Sequence, residues 1–254
     1  MRDAIRFVLG TDLRELRDVD PSLTVLEYLR GTERRCGTKE GCAEGDCGAC
    51  TVVLGELVGE HIRYQAVNAC IQFLPTLDGK QLVTVEDLKG GNGRLHPIQQ
   101  ALVESHGSQC GFCTPGFVMA LYPLYRTGGV PERDVIDDAL AGNLCRCTGY
   151  GPIIEAARRM TAIEGNDPIA EREAAVAALL RRIDDGQPVG VGHGGRRFYA
   201  PRSIDELARM LLDHPEACVF CGATDVGLWV TKQHRVFDTL ISLANVAELK
   251  TIHT

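Results

Sequence analysis

The sequence predicts a multidomain α+β fold, and three observations support this prediction. The chain has 254 residues, which is more than one typical domain needs. Strand-like segments surround one short helix in residues 1–88, whereas proline and glycine mark the ends of four helices in residues 89–163. Strands and helices alternate again in residues 196–254, after a polar connector at 164–195. We therefore expect a β-grasp domain, a four-helix domain and the incomplete first part of an α+β domain.

The composition narrows the possible partners. The net charge of −7 and the isoelectric point near 5.5 argue against nucleic acids and anionic membranes. No apolar run approaches the length of a membrane span, and the apolar stretch at the N-terminus is too short for a signal peptide. We therefore expect a cytoplasmic protein, in which the 11 cysteines are metal ligands or buried thiols. A disulfide framework is the alternative.

The first domain consists of short segments with a strand-like pattern. Strands are predicted at residues 4–9, 13–18, 51–57, 61–67 and 82–88, with a short helix at 24–30. The third and fourth strands can pair as a hairpin. Short strands packed around one helix are typical of a ferredoxin-like β-grasp domain.

The second domain is predicted to contain four helices, which are delimited by proline and glycine. The helices are expected to begin at Pro97, Thr114-Pro115, Pro131 and Pro152, and to end at Gly107, Gly128, Gly142 and about Ala162. Proline suits the first turn of a helix because it has no N–H to leave unpaired. Thr114 is the predicted cap of the second helix. After this domain, residues 170–183 of the connector predict a further helix.

Four cysteines of the first domain have the spacing of an iron–sulfur site. The ligands are expected to be Cys42, Cys47, Cys50 and Cys70, since C-x4-C-x2-C followed by a distant cysteine is the plant-type 2Fe–2S pattern. Interleaved glycines allow backbone N–H groups to approach the sulfur atoms. Structural zinc is the competing interpretation. Cys36 falls outside the spacing and is expected to be a non-ligand, and Cys218 and Cys221 are expected to be buried thiols.

A second quartet is expected in the helical domain. Cys110 and Cys113 precede the helix opened by Pro115, and Cys145 and Cys147 precede the helix opened by Pro152. Helix N-termini carry partial positive charge, which would stabilise an anionic 2Fe–2S centre. A zinc site remains an alternative for this quartet also.

Three long segments resemble a known family, the molybdenum hydroxylases, also called the xanthine oxidase family. GTKEGCAEGDCGACTV with NACIQ downstream resembles its plant-type cluster domain, and GSQCGFCTPGFVMAL with GNLCRCTGYGPIIEA resembles its helical 2Fe–2S domain. APRSIDELARMLLDHPEACVFCGATDVGLWV resembles the start of its FAD-binding domain. The resemblance favours iron–sulfur over zinc at both quartets.

The resemblance also implies cofactor contacts. The loop expected along the flavin pyrophosphate comprises Val219, Phe220, Cys221, Gly222, Ala223, Thr224, Asp225 and Val226. Ala223 occupies a position where the family often has glycine or asparagine. Gln109 and Cys147 are expected to lie against a pterin. The family's FAD domain is longer than residues 196–254, so we expect an incomplete FAD site.

The function implied is electron transfer within a molybdenum-containing hydroxylase. The domain order is similar to that of the small subunit of bacterial xanthine dehydrogenase. Electrons would pass from a molybdopterin on a large partner subunit, in a heterodimer or heterotetramer, through two 2Fe–2S clusters to FAD and then NAD. No catalytic residue for hydroxylation is expected in this chain. The alternatives are the small subunit of an aldehyde or N-heterocycle oxidoreductase, and a stand-alone iron–sulfur electron carrier.

Overall fold

The computed structural model describes residues 1–90 and 93–251. Residues 91–92, which we assigned to the helical domain, and 252–254, which we assigned to the third unit, lie outside the described residues. No helix in the described part of the chain is long and apolar enough to cross a membrane.

The first domain is a β-grasp, as predicted. Its five strands are β1 (Ile5–Leu9), β2 (Asp12–Leu16), β3 (Thr51–Val58), β4 (His61–Asn68) and β5 (Gln81–Val83). They are ordered β2-β1-β5-β3-β4, with β1 and β5 parallel and the hairpin neighbours antiparallel. The helix α1 (Val25–Glu27) starts at a capping box formed by Thr24 and Glu27 and continues as a π-helical turn over Tyr28–Thr32. Leu26 and Leu29 pack into the core beneath the sheet.

The last strand of this domain is shorter than predicted. We expected a strand at 82–88, but β5 ends at Val83 and a 3₁₀ turn follows at Val85–Leu88. At the start of this turn the Asp87 carboxylate accepts hydrogen bonds from the Thr84 N–H at 2.8 Å and from the Thr84 hydroxyl at 3.0 Å. A local side-chain hydrogen bond therefore ends the strand.

The second domain contains the four predicted helices. They are α2 (Pro97–Glu104), α3 (Thr114–Thr127), α4 (Arg133–Leu140) and α5 (Gly151–Arg159), the last extended by a 3₁₀ turn at Met160–Ala162. Thr114 is not the cap of α3: Cys113 occupies the cap position, and the Thr114 hydroxyl lies 2.7 Å from that of Ser108. The core of this domain includes Val53 of β3, so α3 packs on the β-grasp sheet.

The connector is structured at both ends. The predicted helix is present as α6 (Glu173–Ile183), and its Val176 and Leu180 pack against Val8 and Ile62 of the first domain. Residues 189–193, which we assigned to the connector, instead form strand β6 (Val189–His193).

The third unit is a four-stranded sheet with two helices. After β6 come β7 (Arg196–Ala200), α7 (Ile204–Asp213), β8 (Cys218–Phe220), α8 (Thr224–Thr231) and β9 (Thr239–Ser242). The strand order is β6-β7-β9-β8, in which β6 and β7 form a hairpin and β9 is parallel to both β7 and β8. The ring of Phe220 meets that of Phe73 edge-on at 5.8 Å, so the third unit shares a core with the β-grasp.

A charged cluster fastens the connector to α3. The Asp167 carboxylate accepts hydrogen bonds from the Tyr122 hydroxyl at 3.1 Å and from Arg126 at 3.3 Å, and it lies 3.9 Å from the buried ring of His96. Arg126 also pairs with Glu173 at the start of α6. Burial acts to raise the pKa of Asp167, but His96, the Ala170 N–H and Arg126 together hold that pKa below its usual 3.8.

Asp167→Asn is expected to lower the free energy of unfolding at pH 7 by about 2 kcal/mol, because the change leaves Arg126 with one carboxylate partner instead of two. A carboxylate with a depressed pKa stabilises the fold above its unfolded pKa, and this contribution is lost as the pH falls through the folded pKa. The difference in the free energy of unfolding between the variant and the wild type should therefore become smaller below roughly pH 4. Denaturant unfolding at pH 7 and at acid pH measures this difference. Asp137→Asn, in an exposed pair with Arg133, is the control and should cost less than about 0.5 kcal/mol.

Candidate metal centres and cofactor loop

The β3–β4 hairpin assembles half of the first quartet. Thr51 of β3 is paired with Asn68 of β4, so Cys50 and Cys70 lie together just beyond the paired ends, and both are buried. The Ala69 N–H donates to the Cys50 carbonyl at 3.3 Å. A hydrogen bond from the Cys70 thiol lowers the pKa of Cys50 to about 7, and the same contact, together with burial, raises that of Cys70.

The loop before β3 supplies the other half. The Cys42 sulfur accepts hydrogen bonds from the N–H groups of Glu44 and Cys47, each at 3.4 Å. Burial acts to raise the pKa of Cys42, but these N–H groups lower it overall. The Gly45 carbonyl accepts a hydrogen bond from the Asn68 side chain at 2.6 Å, which ties the loop to the end of β4.

The donor arrangement fits a two-iron cluster. The thiols contact each other in two pairs, Cys42 with Cys47 and Cys50 with Cys70. In a 2Fe–2S cluster each iron takes two of the four protein ligands. The pairing suits a 2Fe–2S cluster, and two N–H groups are already directed at the Cys42 sulfur.

The second quartet is also arranged in pairs. The Cys110 and Cys147 sulfur atoms are 3.7 Å apart, and Cys113, at the cap of α3, contacts Cys145. Burial, reinforced by the contact with Cys145, raises the pKa of Cys113 to about 12. Burial also acts to raise the pKa of Cys145, but the Thr148 hydroxyl, 3.2 Å from the sulfur, helps to lower it overall.

The second quartet has an outward side. Cys110 and Cys147 are exposed, whereas Cys145 is buried. Gln109 is exposed and adjoins Cys110 in the chain. The side predicted to meet a pterin is therefore open at the surface of this chain.

The two quartets are joined by a tight junction that the sequence did not predict. The Leu144 N–H donates to the Cys47 carbonyl at 3.0 Å, and Leu144 directly precedes Cys145. The buried Asn143 amide donates to the Gly48 carbonyl at 2.9 Å and to the Thr51 hydroxyl at 3.2 Å. One hydrogen bond and one peptide unit thus link a ligand of one quartet to a ligand of the other.

Two glycines permit this close approach. A Cβ atom on Gly48 would lie 2.3 Å from the Gly142 carbonyl oxygen, and one on Gly116 would lie 2.2 Å from the Gly48 carbonyl oxygen. Real Cβ contacts essentially never fall below 3.0 Å. The junction therefore requires glycine on both sides.

The predicted flavin loop is a sharp turn between β8 and α8. Gly222 and Ala223 both have left-handed backbones, with φ of 85° and 61°. Glycine and asparagine tolerate this region best, so Ala223 adopts it at some cost in strain. Five of the predicted loop residues are exposed, namely Val219, Cys221, Gly222, Thr224 and Asp225. The other three, Phe220, Ala223 and Val226, are buried.

Two of the three cysteines outside the quartets are more exposed than predicted. We expected Cys218 and Cys221 to be buried thiols, which is wrong: Cys218 is half-buried and Cys221 is exposed. The strand β8 has three residues, so Cys221 already lies in the turn. Cys36 is exposed, and its carbonyl accepts a hydrogen bond from Lys39 at 2.7 Å.

Two cavities meet at the loop. One has a volume of about 420 Å³ and is lined by Gly222 and Thr224 together with Ile71 and Gln72, which follow Cys70. The other has a volume of about 690 Å³ and is also lined by Gly222. Its lining contains five basic and three acidic residues: Arg63, Lys80, Arg181, Arg202 and Lys250, then Glu56, Asp78 and Asp184. Glu56 pairs with Arg63 and Lys80, and Asp184 pairs with Arg202. An open glycine turn beside a cleft in which cations outnumber carboxylates fits a dinucleotide with a pyrophosphate.

Comparison with known proteins gives the class of each segment. Residues 10–74 match the family described as 2Fe-2S iron-sulfur cluster binding domain, and residues 84–158 match the 2Fe-2S binding domain. Residues 193–254 match the FAD binding domain in molybdopterin dehydrogenase.

Individual relatives cover most of this chain. Xanthine dehydrogenase of Drosophila pseudoobscura pseudoobscura is 36% identical over 97% of this chain and 21% of its own length. Aldehyde oxidase 2 of Cavia porcellus is 36% identical over 97% of this chain and 22% of its own length. A chain in the crystal structure of quinoline 2-oxidoreductase from Pseudomonas putida 86 has a TM-score of 0.53 and 29% identity, covering 70% of this chain and 96% of that one.

Two 2Fe–2S domains in series, followed by the start of an FAD-binding domain, define this chain as an iron–sulfur and flavin electron-transfer region. The chain belongs to the molybdenum hydroxylase family. It spans about a fifth of the length of the curated relatives it matches. The predicted family, the fold class and the cofactor types are thereby confirmed.

Proposed function

We propose that this chain is the electron-transfer part of a cytoplasmic, xanthine dehydrogenase-type hydroxylase of purine breakdown. Its partner is a large molybdopterin-bearing subunit in a heterodimer or heterotetramer, and NAD is the final acceptor. The observation that carries the proposal is the junction between the quartets, in which the Cys47 carbonyl accepts a hydrogen bond from the residue before Cys145. When bound, the two clusters would carry electrons one at a time. FAD would collect two such electrons and pass them on as a hydride.

The residues of the chain fit this role in sequence. Cys110, Cys113, Cys145 and Cys147 would hold one cluster, and Cys42, Cys47, Cys50 and Cys70 the other. None of the 11 cysteines is in a disulfide, so all eight quartet sulfur atoms are available as ligands. The N–H groups of Glu44 and Cys47 that reach the Cys42 sulfur would stabilise negative charge there.

The exposed side of the second quartet is the proposed face for the molybdopterin subunit. Cys147 and Gln109 lie on it, and they are the residues proposed to contact the pterin. Leu144 and Phe112, which adjoin ligands of this quartet in the chain, are 56% and 47% exposed. Apolar side chains around an exposed ligand suit a contact that excludes water from the donor side.

The flavin would lie next to the first quartet, at the loop 219–226 of the third unit. The loop at 219–226 and the two cavities that meet at Gly222 would hold the part of FAD that this chain contacts. The cavity beside Ile71 and Gln72 brings this site next to Cys70, and the basic side chains of the second cavity would face the pyrophosphate.

Purification of the native complex tests the proposal. We expect a large molybdopterin subunit to copurify and xanthine to be oxidised with NAD reduction. Because aldehyde oxidase 2 is as similar to this chain as xanthine dehydrogenase, an aldehyde and an N-heterocycle are assayed in parallel, each with NAD and with oxygen. Activity on an aldehyde or heterocycle alone would reassign the substrate. Purification without a molybdopterin subunit would overturn the proposal in favour of a stand-alone carrier.

A further inference from the structure

Helix α8 connects the flavin loop to the first cysteine quartet. It begins directly after Ala223 of the loop. Midway, Gly227 packs against the backbone of Ile71, which follows Cys70: a Cβ on Gly227 would lie 2.7 Å from the Ile71 carbonyl oxygen. The helix ends at Thr231, and the side chain of the next residue, Lys232, reaches back to the loop that carries Cys42.

Lys232 places a positive charge on that loop. Its ammonium group donates to the Cys42 carbonyl at 2.6 Å and lies 3.2 Å from the Glu44 carboxylate. The Glu44 N–H in turn donates to the Cys42 sulfur. Lys232 therefore contacts the same residue whose thiolate would hold iron.

The contact is not explained by stability. The side chains of Lys232 and Glu44 are 42% and 38% exposed, and an ion pair this open contributes little to the stability of a fold. The same charges can affect the reduction potential of a nearby iron–sulfur cluster, because that potential depends on the charges and hydrogen bonds around the sulfur ligands.

We infer that Lys232 is a positioning residue that raises the reduction potential of the centre held by Cys42, Cys47, Cys50 and Cys70, and that Glu44 opposes it. The inference rests on the proposed function, because it assumes that this quartet holds a 2Fe–2S cluster. An added electron makes the centre more negative, so a nearby cation stabilises the reduced form and a nearby carboxylate destabilises it.

Three variants separate charge from structure. Lys232→Met is expected to lower the equilibrium constant for reduction of this centre roughly threefold to tenfold, or about 30 to 59 mV for one electron. Lys232→Arg keeps the charge and should retain the wild-type potential. Glu44→Gln removes the opposing charge and should raise the potential, and it remains informative if Lys232→Met fails to fold.

The measurement is a redox titration of the holoprotein, purified with its native partners and followed by electron paramagnetic resonance. The signal of the first quartet is assigned as the one lost in Cys42→Ser. The signal of the second quartet is the internal control and should not move. Lys89→Met is the matched control: it removes the same charge from a lysine that lines a different cavity, together with Gly10 and Asn166, and it should leave both potentials unchanged.

The inference is overturned if Lys232→Met leaves the first signal in place, if both signals shift equally, or if Lys89→Met produces the same shift. It is also overturned if Glu44→Gln lowers the potential. These results leave the proposed function intact, because two iron–sulfur signals would still be present. Absence of both signals from the wild-type holoprotein would overturn the proposed function and this inference with it.

Discussion

Cys50→Ser is expected to remove one of the two iron–sulfur centres and to lower NAD reduction by the native complex about 100-fold or more. Cys50 is 2% exposed and contacts Cys70 at the end of the β3–β4 hairpin, so no solvent-borne ligand can take its place. A serine hydroxyl stays protonated at neutral pH, whereas iron binds the thiolate. Iron content should fall by about half, and one of the two paramagnetic signals should disappear. The assay uses xanthine or an aldehyde, whichever the wild-type complex oxidises.

Cys36→Ser is the matched control for this change. Cys36 is exposed and precedes the first quartet in the same loop, so its replacement should alter neither iron content nor rate. Full iron content together with a wild-type rate in Cys50→Ser would contradict the assignment of the first quartet. Loss of iron in Cys36→Ser would contradict it as well.

Gly48→Ala is expected to destabilise the junction between the two cluster domains by about 2 to 5 kcal/mol. Two effects add: a left-handed backbone costs an alanine about 1 to 2 kcal/mol, and overpacking costs about 1 to 3 kcal/mol. The overpacking is unavoidable because the new Cβ would lie 2.5 Å from the Asn143 amide nitrogen and 2.3 Å from the Gly142 carbonyl oxygen. Thermal unfolding and iron content of the purified protein measure the effect.

Gly59→Ala separates the two effects. Gly59 has φ of 62°, close to the 68° of Gly48, but a Cβ there would meet nothing within 4 Å. Gly59→Ala should therefore cost only about 1 to 2 kcal/mol and leave the iron content unchanged. Equal costs for the two substitutions would show that the junction is looser than the contacts of Gly48 indicate.

Local signals in the sequence were sufficient for most of the elements. The prolines at the starts and the glycines at the ends located the four helices of the second domain, and the strand-like composition of 51–57 and 61–67 located the β3–β4 hairpin. Cysteine spacing also located both quartets, whose thiols the structure brings together in pairs. In each case the information lies within a few residues of the element it predicts.

The predictions failed where two sequence patterns in the same segment indicated different structures. The strand β6 was missed because Gly190 and Gly192 alternate with Val189 and Val191, and the glycines dominated the pattern. Both valines are nevertheless buried in the core shared with the first domain. Cys221 was expected to be buried because its neighbours are apolar, but the strand ends one residue before it.

The contacts that organise the site join residues far apart in the chain. Asn143 and Gly48 are 95 positions apart, and Lys232 and Cys42 are 190 positions apart. No periodicity or spacing within one segment encodes such a contact. A glycine between two ligand cysteines, such as Gly48, and an asparagine just before another, such as Asn143, are the signals that could have suggested the junction.

Metal analysis of the purified holoprotein tests the central claim most directly, since the eight quartet cysteines are proposed to hold two 2Fe–2S clusters. The expected result is roughly four iron atoms and four acid-labile sulfides per chain, with two distinct paramagnetic signals on reduction. Zinc bound without iron or sulfide would contradict the account.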